Sequence, residues 1–315
     1  MTPLDSRRLE RSVAQGQPFG SRRPPQGRRE AQTLSTLKQR LDEQYENFNR
    51  TSVTDPIQIV RRFDRPEDRE IAGFCAAALA FGRVQSVLHS IEGLFAAMGD
   101  SPAAYVRGFQ PARDRRTLDH LVHRWTRGID LAALVWLLRQ MLDSHGSIEA
   151  FFVEGAAAEA ETVEAALDAF SRRACALDQK AVYRRTLRKP GVAYFFARPS
   201  SGGACKRLNL FLRWMVRRDA VDLGVWTKVR PAQLIVPLDT HVIRLSKCLR
   251  LTRYSSPGWR MAADITASLR MIDPVDPVRY DFSLCHIGMM NACGYAKRQG
   301  DSQCPLRGSC RPRRQ

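Results

Sequence analysis

Stretches apolar enough to cross a bilayer are missing from this sequence. Leu131 to Leu138 is apolar throughout, yet it falls far below the roughly 18 residues a span requires. Runs that alternate apolar and polar residues are missing too, which leaves nothing from which to build a sheet. No internal repeat is visible. Histidine is scarce, and His89, His120, His123 and His145 are scattered without ligand spacing, so a histidine-built metal site is not indicated. Residues 1 to 34 lack the apolar segment of a secretory signal, and their three acids and adjacent prolines argue against a transit peptide. Acid is in short supply throughout, with 32 Asp and Glu against 50 Lys and Arg.

That imbalance, a formal charge of +18, exceeds what solubility needs and predicts a polyanionic partner, nucleic acid rather than a membrane surface. With 315 residues and 44% hydrophobic content the chain can bury a real core as one large domain or two smaller ones. The first 34 residues set seven arginines among Pro, Gly, Gln and Ser, a composition that predicts a disordered basic tail. Helical signals dominate afterwards, so the class is all-α. Asp64 with Glu67 reads as a capping box, and Ile71, Phe74, Cys75, Ala78 and Leu79 form the stripe of a helix over 64–81 with Gly82 at its end. Leu131 to Leu138 is the candidate central buried helix. Glu154 to Ala166, rich in Ala and Glu, suits a solvated helix or an insertion turned away from nucleic acid.

Two short motifs organise the rest. Ser201-Gly202-Gly203-Ala204-Cys205-Lys206 is a glycine turn opening a helix, whose apolar face is Leu208, Phe211, Leu212 and Met215, with Lys206, Asn209, Arg213 and Arg217 opposite. In Leu238-Asp239-Thr240-His241-Val242 the aspartate occupies a helix N-cap, and Val242, Leu245 and Leu249 follow as a buried stripe. If the two helices pack, an amine meets a carboxylate. Equally, Lys206 belongs to a basic face with Arg207 and Arg213, and Asp239 satisfies a backbone N–H. Basic residues cluster nearby at Arg184, Arg185, Arg188, Lys189, Arg217 and Arg218, interleaved with Tyr183, Tyr194, Phe195, Phe196 and Trp214, rings that are either core or base-stacking surfaces.

The turn, its lysine and the Leu-Asp-Thr-His-Val segment resemble the helix-hairpin-helix DNA glycosylases, the superfamily of endonuclease III and 8-oxoguanine glycosylase. Residues 41–281, with Glu70-Ile71-Ala72-Gly73-Phe74 and Asp276-Pro277-Val278-Arg279-Tyr280-Asp281-Phe282, look like the bacterial domain of unknown function 2400. The resemblance implies two packed helical subdomains with a cleft, spanning 35–290. It implies Lys206 as Schiff-base nucleophile and Asp239 as essential acid, with Gly202, Gly203, Ala204, Arg207, Arg213 and His241 at the DNA. A DNA glycosylase with AP lyase activity on damaged duplex DNA would follow, monomeric, cytoplasmic and nucleoid-associated, with no membrane and no small-molecule substrate. The hairpin departs from the family pattern, since Ala204 replaces its second glycine, and the lysine and aspartate stand further apart than in endonuclease III, consistent with an insertion over 217–230. A non-catalytic DNA-binding module of the same fold is the alternative.

Cys75, Cys175 and Cys248 read as small buried hydrophobes. Within the basic loop 291–315, Cys293, Cys304 and Cys310 resemble ligands of the endonuclease III iron–sulfur loop, but Asp301 stands where another cysteine is expected. Cys285 is a substitute fourth ligand. The resemblance thus implies an iron–sulfur cluster, or zinc held by these cysteines with Cys285 or His286.

Overall fold

The computed structural model describes residues 28–50, 55–154, 159–290 and 303–310. Most of the basic tail and Cys293 lie outside the described residues. The described chain is mostly helical, as expected, with a single small hairpin as its sheet.

Helix α1 (Arg28–Phe48) opens inside the stretch whose composition predicted disorder; the spacing of Leu34, Leu37 and Leu41 gives it one apolar stripe to bury. After the single turn α2 (Ile57–Val60) comes α3 (Pro66–Leu79), the expected 64–81 helix trimmed at both ends. Its stripe from Ile71 to Leu79 is buried, and Ala72, Ala76 and Ala77 bury the other side as well. The predicted capping box is absent. Pro66 starts the helix, the N-cap Arg65 makes no side-chain cap, and Glu67 is drawn to Arg65 Nε at 2.8 Å. Asp68 turns away to cap the next unit, accepting from Ser101 Oγ and Ala103 N at 2.8 Å each.

Helices α4 (Val84–Met98), α5 (Pro102–Gly108) and α6 (Pro111–Asp114) lead to the hairpin of β1 (Val122–His123) and β2 (Thr126–Arg127), in register Val122 to Arg127. Strands of two residues carry no periodicity, which is why no sheet was legible. The hairpin is pinned by His123, whose ring nitrogens meet Phe81 O at 2.9 Å and Ser90 Oγ at 2.8 Å.

Helix α7 (Gly128–His145) contains Leu131 to Leu138, buried apart from Trp136. Helix α8 (Ile148–Val153) follows, its first N–H groups bonded to the buried Glu70 carboxylate: Ile148 N at 3.0 Å and Glu149 N at 2.8 Å. Glu70 also accepts from Trp226 Nε1 at 2.7 Å, tying the 217–230 segment to α3, and burial pushes its carboxyl up. The helix expected over 154–166 does not form in its described part. Residues 159–163 are non-helical, with Val163 N bonded to Gln233 O at 2.9 Å, and α9 begins only at Glu164 and ends at Ala176. Past α10 (Lys180–Tyr183), the helices α11 (Lys206–Val216), α12 (Thr240–Cys248), α13 (Trp259–Arg270) and α14 (Asp281–Met289) complete the fold.

One hydrophobic cluster runs from Leu37 to Leu306 and draws on most of these helices. Two glycines let helices approach closely. A Cβ on Gly73 of α3 would lie 2.6 Å from Met215 Cε of α11, and one on Gly288 of α14 would lie 2.6 Å from His241 Cβ of α12. Helix α1 closes over α14, where Tyr280 Oη donates to Asp42 Oδ1 at 2.7 Å and Ser283 Oγ to Gln44 O at 3.2 Å. Among the described residues no helix is long and apolar enough to cross a membrane.

Candidate functional site

Lys206 is the first residue of α11, delivered by a strained turn. A short 3₁₀ segment, Pro199–Ser201, leads to Gly202 at φ 78°, and Cys205 adopts φ 49°, a left-handed conformation that side chains rarely take. Gly202 O accepts from Trp259 N at 3.0 Å, so the turn rests on the start of α13. Gly202 and Gly203 are exposed, and a Cβ added to either would meet nothing within 4 Å. Cys205 provides no side-chain cap to the first turn of α11.

Asp239 caps α12 as its position in the sequence predicts: Oδ1 accepts from Val242 N at 2.7 Å, and Val242, Leu245 and Leu249 bury behind it. The other oxygen has a partner from α14, the Cys285 thiol, with Sγ 3.0 Å from Oδ2. Burial pushes this thiol far up, the negative charges of Asp239 and Asp281 add to that, and the Lys206 ammonium opposes it.

The polar side of α11 carries the second surprise. Lys206, Asn209, Arg213 and Arg217 do share a stripe, but from Asn209 onward it points inward. Arg213 Nη1 donates to Asp281 Oδ2 at 2.5 Å and its Nε to Asp222 Oδ1 at 3.2 Å. Arg217 Nε bonds both oxygens of Asp276 at 2.9 Å, and its Nη atoms reach Asp219 and Asp222. Burial works against the Arg213 charge, but the two aspartates more than offset it. On the acidic side, burial raises Asp281, to about 7, with the Asp239 charge adding to it and Arg213 resisting. Asn209 Oδ1, Arg213 Nη2 and Asp281 Oδ1 are buried with no protein partner among the described residues.

Two of the expected DNA-contacting residues are engaged within the protein. Arg213 is 3% exposed and pairs with Asp222 and Asp281 inside the fold. Arg207 donates to Ala78 O at 3.1 Å and to Tyr194 O, and stacks 3.8 Å from the Tyr194 ring centre. Burial draws its guanidinium down to about 10, still charged at neutral pH. It also lies 5.1 Å from the Phe81 ring centre. His241 packs on Gly288 with a buried, unpaired Nδ1. Arg184, Arg185, Arg188 and Lys189 are exposed. Of the interleaved rings, Phe195, Phe196 and Trp214 are core, Tyr183 donates to Asp130 Oδ1 at 2.8 Å, and Tyr194 is exposed.

Cys285 stands at Asp239, on the face of α14 that Asp281 and Gly288 share. The spacing of 281, 285 and 288 places all three on one side of a helix, a signal present in the sequence but masked by the cysteine-loop resemblance. Cys304 is buried and Cys310 half-buried. Among the described residues no three potential ligands gather as a metal group. Cys75 is buried, while Cys175 and Cys248 are half-buried.

A family model described as a protein of unknown function, DUF2400, matches residues 55–290. No curated protein and no solved structure matches the chain.

Proposed function

The chain belongs to the DUF2400 family, whose description carries no activity, and from its residues we propose a DNA N-glycosylase of helix-hairpin-helix type, with two helical subdomains, acting on damaged duplex DNA. The observation that supports the reading is Cys285, which donates to Asp239 Oδ2 at 3.0 Å and whose upward shift the Lys206 charge opposes. The exposed glycine turn ahead of α11 and the net charge of +18 suit a phosphate backbone.

In this reading the Lys206 amine attacks C1′ of an extruded nucleotide. The new N–C1′ bond forms as the glycosidic bond breaks, and the base leaves with the bonding pair and a proton. Asp239 stabilises positive charge building on the sugar. Opening of the sugar gives an imine, from which loss of the 3′ phosphate by β-elimination cuts the strand. An iron–sulfur cluster or zinc site would fall to Cys293, Cys304 and Cys310; Cys285 is occupied at Asp239, and no step here depends on the metal.

One observation favours a binding-only module of the same fold: both Asp239 oxygens are engaged, by Val242 N and by Cys285. Borohydride trapping separates the two. DNA carrying an abasic site or an oxidised purine should give a covalent adduct with the wild type. Lys206→Ala should give none while keeping DNA affinity nearly intact, and Asp239→Asn should cleave the glycosidic bond roughly a hundredfold or more slowly. Equal trapping by wild type and Lys206→Ala, or none on any such lesion, would leave the binding module.

A further inference from the structure

Large apolar side chains left exposed among the described residues are few, and four of them, Val84, Val122, Trp125 and Tyr194, belong to the β1–β2 hairpin and the two segments it touches. Trp125, at the hairpin tip, is 55% exposed. It is held there by design of its neighbours. The rings of Phe81, Trp125 and Tyr194 form a closed trio, with centroids 5.1 Å apart for Phe81 to Trp125, 5.4 Å for Phe81 to Tyr194 and 5.3 Å for Trp125 to Tyr194. Behind them the Arg207 guanidinium lies over Tyr194 and Phe81, and His123 packs edge-on to Phe81 at 4.5 Å while its nitrogens bond Phe81 O and Ser90. Such a surface is preorganised: a base stacking on Trp125 would meet a ring already fixed in place.

Beside the tip lies an open cleft of about 520 Å³. Arg83, Arg124, His89, Ser86 and Gln85 line it, and no carboxylate is among its lining residues. Arg124 also reaches toward the Trp125 ring, its guanidinium carbon 6.0 Å from the centre. An exposed aromatic face adjoining a cationic, hydroxyl-bearing cleft matches a base and its neighbouring phosphate. A purely apolar partner would leave those arginines unpaired, and a carboxylate-rich peptide offers nothing for the ring trio.

We propose that the Trp125 hairpin is a second nucleic-acid site, taking an unpaired nucleotide of a DNA strand with its base on Trp125 and its phosphate between Arg83 and Arg124. The site rests on DNA as the partner of this chain, but not on the Lys206 chemistry. The full-length protein should bind a duplex bearing a single-stranded oligothymidylate extension about tenfold more tightly than the same duplex with blunt ends, read by fluorescence anisotropy at fixed salt. Trp125→Ala should remove that gain, Trp125→Phe should keep most of it, and Arg124→Ala should lower the salt slope of extension binding by about one. Trp125 is exposed and bonded only through packing, so unchanged thermal unfolding of its variants is expected.

Equal binding of both duplexes by wild type overturns the site, as does retention of the gain in Trp125→Ala. Self-association of the protein alone that vanishes with Trp125→Ala would make the hairpin a protein interface and overturn it too. Failure of borohydride trapping with the extension gain intact removes only the catalytic reading.

Discussion

Arg213 reaches Asp281 across 68 positions of chain, Nη1 to Oδ2 at 2.5 Å, with both side chains sealed from solvent. This contact ties α11 to α14. Replacing one partner would strand a buried charge, a loss of roughly 3–5 kcal/mol.

That pair makes stability respond to pH. The Asp281 carboxyl is raised from 3.8 to about 7 by burial, so the fold holds its proton more tightly than the unfolded chain does. Its contribution is present in full below about 4 and is lost as pH rises through about 7, at up to about 1.4 kcal/mol per pH unit between the two. Urea midpoints of wild type should fall between pH 5 and pH 8, and Asp281→Asn should flatten that part of the profile. Parallel profiles for the two proteins would show that Asp281 stays ionised throughout.

Gly288 tests the seam between α12 and α14. A side chain there runs into His241 Cβ, which belongs to a helix and cannot swing away. Gly288→Val should cost about 1–3 kcal/mol and slow any Asp239-dependent reaction, since α14 carries Cys285. Gly73→Ala is the control, because the atom it meets is the flexible end of Met215. A Gly288→Val protein as stable as Gly73→Ala would mean the two helices are not packed this closely.

The Cys285 thiol should be inert. Burial and the Asp239 charge hold it protonated, and the thiolate is the reactive form. Treated with iodoacetamide at pH 8, the folded protein should be spared at Cys285, Cys205 and Cys75, all raised by burial, and labelled at all three in urea, as read by peptide mass spectrometry. Labelling of Cys285 as fast as in urea would show it exposed.

What could be read from the sequence was local. The stripes of α3 and α12 follow from residues three and four apart, and the Asp239 cap needs only Val242, three positions on. The inward turn of Arg213 and Arg217 was not legible: a basic stripe looks the same whether it faces water or carboxylates, and the deciding aspartates lie up to 68 positions away. The capping box at Asp64 failed because Pro66 restarted the helix two residues later. For Trp125 the difficulty was different again, since a two-residue strand has no period and the rings that frame the tryptophan come from Phe81 and Tyr194.

The Tyr280 to Asp42 bond closes a loop of 238 positions between α1 and α14. On a ribosome adding about 5–20 residues each second, α1 therefore waits on the order of ten seconds or more for its covering helix. During that interval Leu37 and Leu41 lie bare, and nascent chains of this protein should be clients of whatever chaperone meets them at the exit tunnel.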